Sequence, residues 1–193
     1  MRRICVFCGS QVGRQPHYAA AAVALGSLLA RRGIGLVYGG GKVGLMGVVA
    51  DAALAGGGEV IGVIPERLMS RELGHGGVTD LRVVDSMHQR KAMMSDLSDA
   101  FIALPGGYGT FEEFFEVVTW MQLGIHAKPC GLLNVGGYYD MLLALLDHAA
   151  GESFIRPHHR GLVLVDDDPA LLLQQLQDYR APPVDKWLEH DQT

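Results

Sequence analysis

Short apolar runs alternate with longer amphipathic stretches from one end of the chain to the other. Residues 4–8, 34–38, 59–64, 81–84, 100–104, 130–134 and 162–165 read as strands. Their apolar character is continuous rather than alternating, as burial on both faces of a sheet demands. Between them the spacing predicts helices over 16–32, 45–55, 88–97, 111–123, 138–150 and 169–179, with starts marked by Pro16, Thr110 and Pro169. Strand and helix in repeated alternation mean a parallel sheet covered by crossover helices. The predicted fold is α/β, a Rossmann-like three-layer sandwich with a mostly parallel sheet of about seven strands. Residues 1–180 form one domain in this reading. Residues 181–193, opening with Pro182 and Pro183 and then mostly polar, form a C-terminal arm whose Trp187 and Leu188 offer a docking pair.

In such sheets ligands bind beyond the carboxyl ends of the strands, so the turns that follow strands are where chemistry is expected. The most informative is Leu104-Pro105-Gly106-Gly107-Tyr108-Gly109-Thr110-Phe111-Glu112-Glu113. An apolar strand runs into glycines that open a helix bearing carboxylates. Glycines let backbone N–H groups approach an anion, and the helix start adds unpaired donors and the positive end of its dipole. A phosphorylated small molecule is the ligand this predicts. Two further turns, Cys8-Gly9-Ser10 and the stretch from Gly39 through Gly41 to Gly47, end other strands and converge on the same edge. Gly39, Gly41 and Gly44 match the dinucleotide spacing G-x-G-x-x-G, but Glu66, the acid nearest the ribose-binding position, follows Pro65 past the strand end. A hydride-transfer enzyme is therefore only a runner-up. Lys42 is followed by Val43, so no Walker A motif is present.

Thr110-Phe111-Glu112-Glu113 reads as a capping box, and Glu113 and Glu116 share a helix face. Carboxylates beside a phosphate repel it, so they are expected to face a neutral or cationic part of the ligand. Asp85-Ser86-Met87-His88-Gln89-Arg90-Lys91 follows another strand: Arg90 and Lys91 suit an anion, and Met87 suits a flat base. His88 reads as a helix cap. His158 and His159 lack a third ligand at useful spacing, and no metal is expected. Cys5 and Cys8 spell C-x-x-C, but residues three apart on a strand point to opposite faces, so both read as core, like Cys130.

The 193 residues carry 49% hydrophobic and 19% charged positions, as a soluble globular domain does. A net charge of -5 argues against a nucleic-acid or anionic-membrane partner, which needs a basic face. The apolar run after Met1-Arg2-Arg3 is too short for a signal peptide and no stretch reaches a transmembrane length, so the cytoplasm is the expected location. Three cysteines fit reduced thiols. The helix after the cradle, with Phe114, Phe115, Val117, Val118, Trp120, Met121 and Leu123, is apolar almost all round and predicts a homo-oligomer.

Pro105-Gly106-Gly107-Tyr108-Gly109-Thr110-Phe111-Glu112-Glu113 resembles the P-G-G-x-G-T-x-x-E signature of the LOG family, the cytokinin riboside 5'-monophosphate phosphoribohydrolases. The resemblance extends over nearly the whole chain, through Gly39–Gly47, Met87-His88-Gln89-Arg90-Lys91, and Thr119-Trp120-Met121-Gln122-Leu123-Gly124-Ile125-His126. It implies hydrolysis of the N-glycosidic bond of AMP or a cytokinin riboside 5'-monophosphate, without cofactor, in a homodimer with sites near its interface. The family's catalytic arginine and glutamate fall on Arg90 and Glu113. Its ligand contacts fall on Glu72, Lys91, Gly107, Tyr108, Gly109, Thr110, Phe111, Glu112 and Thr119. To these the strand-end reading adds Ser10, Gly41, Met87, Gly106 and Glu116. Relatives often carry proline where Ser70 precedes Arg71-Glu72 here. Members of the family were often labelled lysine decarboxylases, but none of Lys42, Lys91, Lys128 and Lys186 has a recognisable pyridoxal phosphate setting.

Overall fold

The computed structural model describes residues 1–69 and 74–181. Seven parallel strands, β1 (Arg3–Phe7), β2 (Gly35–Tyr38), β3 (Val60–Pro65), β4 (Asp80–Val84), β5 (Ala100–Ala103), β6 (Cys130–Leu133) and β7 (Val163–Asp166), form one sheet in the order β4-β3-β2-β1-β5-β6-β7. The helices are α1 (Pro16–Arg31), α2 (Gly44–Ala55), α3 (Glu66–Met69), α4 (Met87–Asp96), α5 (Tyr108–Gln122), α6 (Asp140–Gly151), α7 (Pro157–Arg160) and α8 (Pro169–Asp178). A short 3₁₀ turn, Val135–Gly137, joins β6 to α6.

Alternation along each strand splits the core into two layers. Ile4, Val6 and Cys8 of the first strand and its exit pack with Leu25, Leu29, Leu45, Val49, Leu172 and Leu176 from α1, α2 and α8. Cys5 and Phe7 face the other way, toward Met94, Phe114, Val117, Met121 and Leu146 from α4, α5 and α6. The two cysteines of C-x-x-C thus lie in different layers, buried and unpaired, as the strand geometry predicts. Central strands β1, β2, β3, β5 and β6 are buried throughout, save for the partly exposed Arg3. The edges are not: Val83 of β4 is exposed and β7 is half-buried over three of its four residues. An edge strand has a neighbour on one side only, so fewer side chains shield it.

Pro16 and Pro169 open α1 and α8 as expected, and Asp168 caps α8 by accepting from the amides of Ala170 and Leu171 at 2.7 and 3.0 Å. The sequence reading missed α3 and α7, each too short to carry periodicity. The long connection before β4 contains α3 and then rejoins the fold at Gly74, which bridges to Gly41. The expected arm lies outside the described residues apart from Ala181. Chain order reverses direction between β1 and β5, which is the switch point of the sheet.

Candidate functional site

The carboxyl ends of β1, β2, β3 and β5 meet at one place, and backbone hydrogen bonds tie them together. Gly9, after β1, donates its amide to the Pro105 carbonyl at 3.1 Å, and its own carbonyl accepts from the Leu45 amide at 3.0 Å. The three glycine turns therefore converge, as the sequence predicts. Gly106 is required here: a Cβ on it would lie 2.0 Å from Thr110 Oγ1 and 2.9 Å from the Gly9 amide nitrogen. Gly41 is buried and Ser10 is exposed beside this junction.

The turn after β5 differs from the capping-box expectation. Helix α5 begins at Tyr108, with Gly107 as its N-cap and no side chain capping it, so Thr110 lies buried inside the first turn. The first amides of a helix have no intrahelical partner, and here no side chain fills that role. Gly107, Tyr108 and Gly109 are exposed, Tyr108 almost completely at 93%. The turn thus presents open backbone donors at a helix start. Phe111 is half-buried, edge-on to Tyr139 with ring centroids 6.4 Å apart.

Arg90 projects from α4 and is 5% exposed. Its Nε donates to the Val63 carbonyl at 3.1 Å and its Nη2 to the Gly39 carbonyl at 2.7 Å. The guanidinium is therefore fixed across the ends of β3 and β2. A Cβ on Gly39 would come within 2.1 Å of Nη2, so that glycine leaves the space the arginine fills. Met87, partly exposed, sets its sulfur 3.8 Å from Nη1. His88 is exposed and does not cap α4; Ser86 Oγ does, accepting from the Gln89 amide at 3.2 Å.

Glu113 is half-buried on α5. Burial pushes the Cys8 thiol up, the charge of Glu113 pushes it further, and the charge of Arg90 opposes them. The thiol at the end of β1 thus lies within electrostatic reach of both groups. Lys91 points elsewhere, toward Glu112 and Glu116, whose carboxylates both accept from its Nζ, the latter at 3.0 Å. Burial works to lower the Lys91 pKa, but the two carboxylates more than offset it and hold the ammonium charged. The spacing of Glu112 and Glu116 places both on one face of α5. Thr119, exposed and donating to the Phe115 carbonyl at 2.7 Å, stands about 14 Å along the helix from Thr110. Glu72 lies outside the described residues.

Two features escaped the sequence reading. Tyr138 and Tyr139 donate their hydroxyls to the carbonyls of Gly106 and Leu104. His75 is buried, with its ring bonded to Asp51 of α2. The Gly-Gly-Tyr-Tyr run just past a strand end was the available signal for the first; nothing in the sequence pairs His75 with Asp51.

A parallel sheet with glycine turns, a buried arginine and a carboxylate-bearing helix at its switch point defines a Rossmann-like α/β protein. The dinucleotide spacing, in contrast, follows β2 rather than the switch-point strand β1, and Glu66 is exposed in α3. A family profile described as "Possible lysine decarboxylase" matches residues 46–176. The probable cytokinin riboside 5'-monophosphate phosphoribohydrolase LOGL5 of Oryza sativa subsp. japonica is 55% identical over 184 residues, covering 95% of this chain and 75% of the rice protein. Cytokinin riboside 5'-monophosphate phosphoribohydrolase LOG7 of Arabidopsis thaliana is 54% identical, covering 92% and 82%. The chain belongs to the LOG family. Among solved structures, the molybdenum cofactor carrier protein of Chlamydomonas reinhardtii superposes with a TM-score of 0.69 at 23% identity, covering 92% of this chain and 99% of the carrier. That likeness establishes the fold alone.

Proposed function

We propose that this chain is a phosphoribohydrolase that cleaves the N-glycosidic bond of AMP or a cytokinin riboside 5'-monophosphate, releasing an adenine-type base and ribose 5-phosphate. The observation that carries the reading is identity above one half, over nine-tenths of the chain, to relatives named for that reaction. The strand-end chemistry supports it. The open amides of Gly107, Tyr108 and Gly109, with Gly106, Thr110 and Ser10 around them, take the 5'-phosphate at the start of α5. Binding energy from that remote group orients the reacting sugar.

Loss of the base leaves oxocarbenium-like positive charge on the ribose, and a fixed carboxylate stabilises it. Glu113 fills that role or orients the attacking water. Water supplies hydroxide to C1' and a proton to the base, so no redox partner enters. Arg90, already anchored on two carbonyls, holds the nucleotide and assists departure of the base, with Met87 beside the base plane. Glu116 meets the ribose hydroxyls, and Lys91 tempers its charge and that of Glu112 near a phosphorylated ligand. Gly41 and Phe111 line the crevice.

A homodimer and a cytoplasmic location belong to the same proposal. The partly exposed apolar side chains of α5 support the first. Three free, buried cysteines support the second, and among the described residues no helix is long and apolar enough to cross a membrane. In a dimer, Thr119 acts from the neighbouring subunit, since it stands far along α5 from its own cradle. Purified protein incubated with AMP and with isopentenyladenosine monophosphate provides the test. Base release that collapses in Glu113→Gln and Arg90→Ala is expected. Binding without release defeats the hydrolase reading in favour of a non-catalytic nucleotide carrier.

A further inference from the structure

We propose that Tyr138 is a positioning residue that aims the phosphate-binding amide of Gly107. The inference rests on reading the turn after β5 as the 5'-phosphate cradle. It starts from where the carbonyls of that turn go. Leu104 O accepts from the Tyr139 hydroxyl at 2.7 Å, Pro105 O accepts from the Gly9 amide at 3.1 Å, and Gly106 O accepts from the Tyr138 hydroxyl. Three successive carbonyls are thus each held by a donor from the body of the protein. A trans peptide is planar, with its carbonyl and the next N–H pointing in opposite directions. Pinning Gly106 C=O on Tyr138 therefore turns the Gly107 N–H to the opposite side, at the N-cap of α5.

The tyrosine is itself braced. Its ring stands edge-on to Tyr18, with centroids 5.8 Å apart and planes at 80°, and to Tyr139 at 5.0 Å and 86°. The turn that delivers it is closed by Asn134, whose Oδ1 accepts from the Tyr139 amide at 2.7 Å and whose Nδ2 donates to Asp140 at 2.8 Å. Without the hydroxyl, the Gly106–Gly107 peptide, set between two glycines' worth of free backbone, is at liberty to rotate. An anion offered a peptide of either orientation meets a donor in one and a repelling carbonyl in the other.

Tyr138→Phe removes the hydroxyl and keeps the ring in its aromatic bracket, and Tyr139→Phe serves as the comparison because its hydroxyl holds Leu104, a strand-end carbonyl farther from the cradle. Affinity for inorganic phosphate by calorimetry, KM and kcat for base release from AMP, and thermal midpoint are measured for all three proteins. Tyr138→Phe is expected to weaken phosphate binding and to raise KM by roughly tenfold each, with the thermal midpoint near that of the wild type. Tyr139→Phe is expected to lower the midpoint and leave phosphate affinity near wild type. Equal phosphate affinity in wild type and Tyr138→Phe overturns the inference, as does a wild type that binds no phosphate. A wild type that binds phosphate but releases no base defeats the hydrolase reading while the Tyr138 comparison still decides its own question.

Discussion

His75 is bonded through both ring nitrogens: Nε2 lies 2.9 Å from Asp51 Oδ1 on α2, and Nδ1 accepts from the Gly77 amide at 3.2 Å. A ring that accepts at Nδ1 carries its proton at Nε2, so the tautomer is set by its neighbours. The His75 amide meanwhile donates to the Gly40 carbonyl at 2.9 Å. One residue thereby fastens the chain returning toward β4 onto the glycine turn after β2. His75→Phe is expected to cost about 1–2 kcal/mol of stability, since it removes both ring hydrogen bonds while leaving Asp51 and Gly77 open to water. Asp51→Asn, which keeps an accepting oxygen, is expected to cost under about 1 kcal/mol. Urea unfolding of the two variants checks the order; equal losses would count against the clasp.

Gly39 gives a sharper handle on the arginine. With a Cβ there 2.1 Å from Arg90 Nη2, Gly39→Ala is expected to displace the guanidinium. A shift of that order at a reacting centre lowers turnover by roughly 100-fold. Circular dichroism near that of the wild type, together with the kinetic loss, is the expected pair of results.

Lys91 balances two carboxylates, and its removal leaves both uncompensated. Lys91→Met is expected to weaken binding of AMP and of inorganic phosphate several-fold. Repulsion between partly exposed charges is screened by salt, so the defect is expected to shrink as sodium chloride is raised. A defect independent of ionic strength would refute the electrostatic account.

His126 lies tilted against Phe101, with centroids 5.4 Å apart and planes at 36°, and its Nδ1 accepts from the Lys128 amide at 3.2 Å. Burial, then the charge of Lys128, pushes its pKa down to about 4. The unfolded chain, with an ordinary histidine near 6.5, binds more protons between those values. Stability contributed by the neutral ring is therefore present above about pH 6.5 and is lost as pH falls toward about 4. For a half-exposed ring the loss is roughly 1–2 kcal/mol after allowing for solvent screening. His126→Gln is expected to flatten this part of the stability profile, measured by denaturant unfolding at pH 7.5 and pH 4.5, values chosen to bracket the window.

The parallel sheet was legible because buried strands must be apolar at every position and crossover helices must separate them. Boundaries shifted by a residue or two where polar side chains sit at strand ends, as with Glu59, which pairs with Arg3 at 2.8 Å rather than joining β3. The start of α5 was misplaced for a chemical reason: Gly107 caps it with backbone alone, while Thr110 supplies a misleading capping pattern. That Arg90 and Glu113 stand on helices that open just past strand ends was legible in the sequence. Partners made by tertiary approach, such as Lys91 with Glu112 and Glu116, or Tyr138 with Gly106, come from different helices and turns, and local spacing carries no trace of them.

Strand β1 lies between β2 and β5, and its register with β5 pairs Ile4 with Ala100. During synthesis, β1, β2, β3 and β4 emerge before the other flank of β1 exists. Half of the sheet can therefore assemble with the inner edge of β1 still unpaired, and closing that edge spans a loop of nearly a hundred residues. The proposed anion site requires β5 to dock, because that step brings the turn at Gly106 beside Gly9. On that proposal, a nucleotide added during refolding is expected to favour the completed sheet over every partial one.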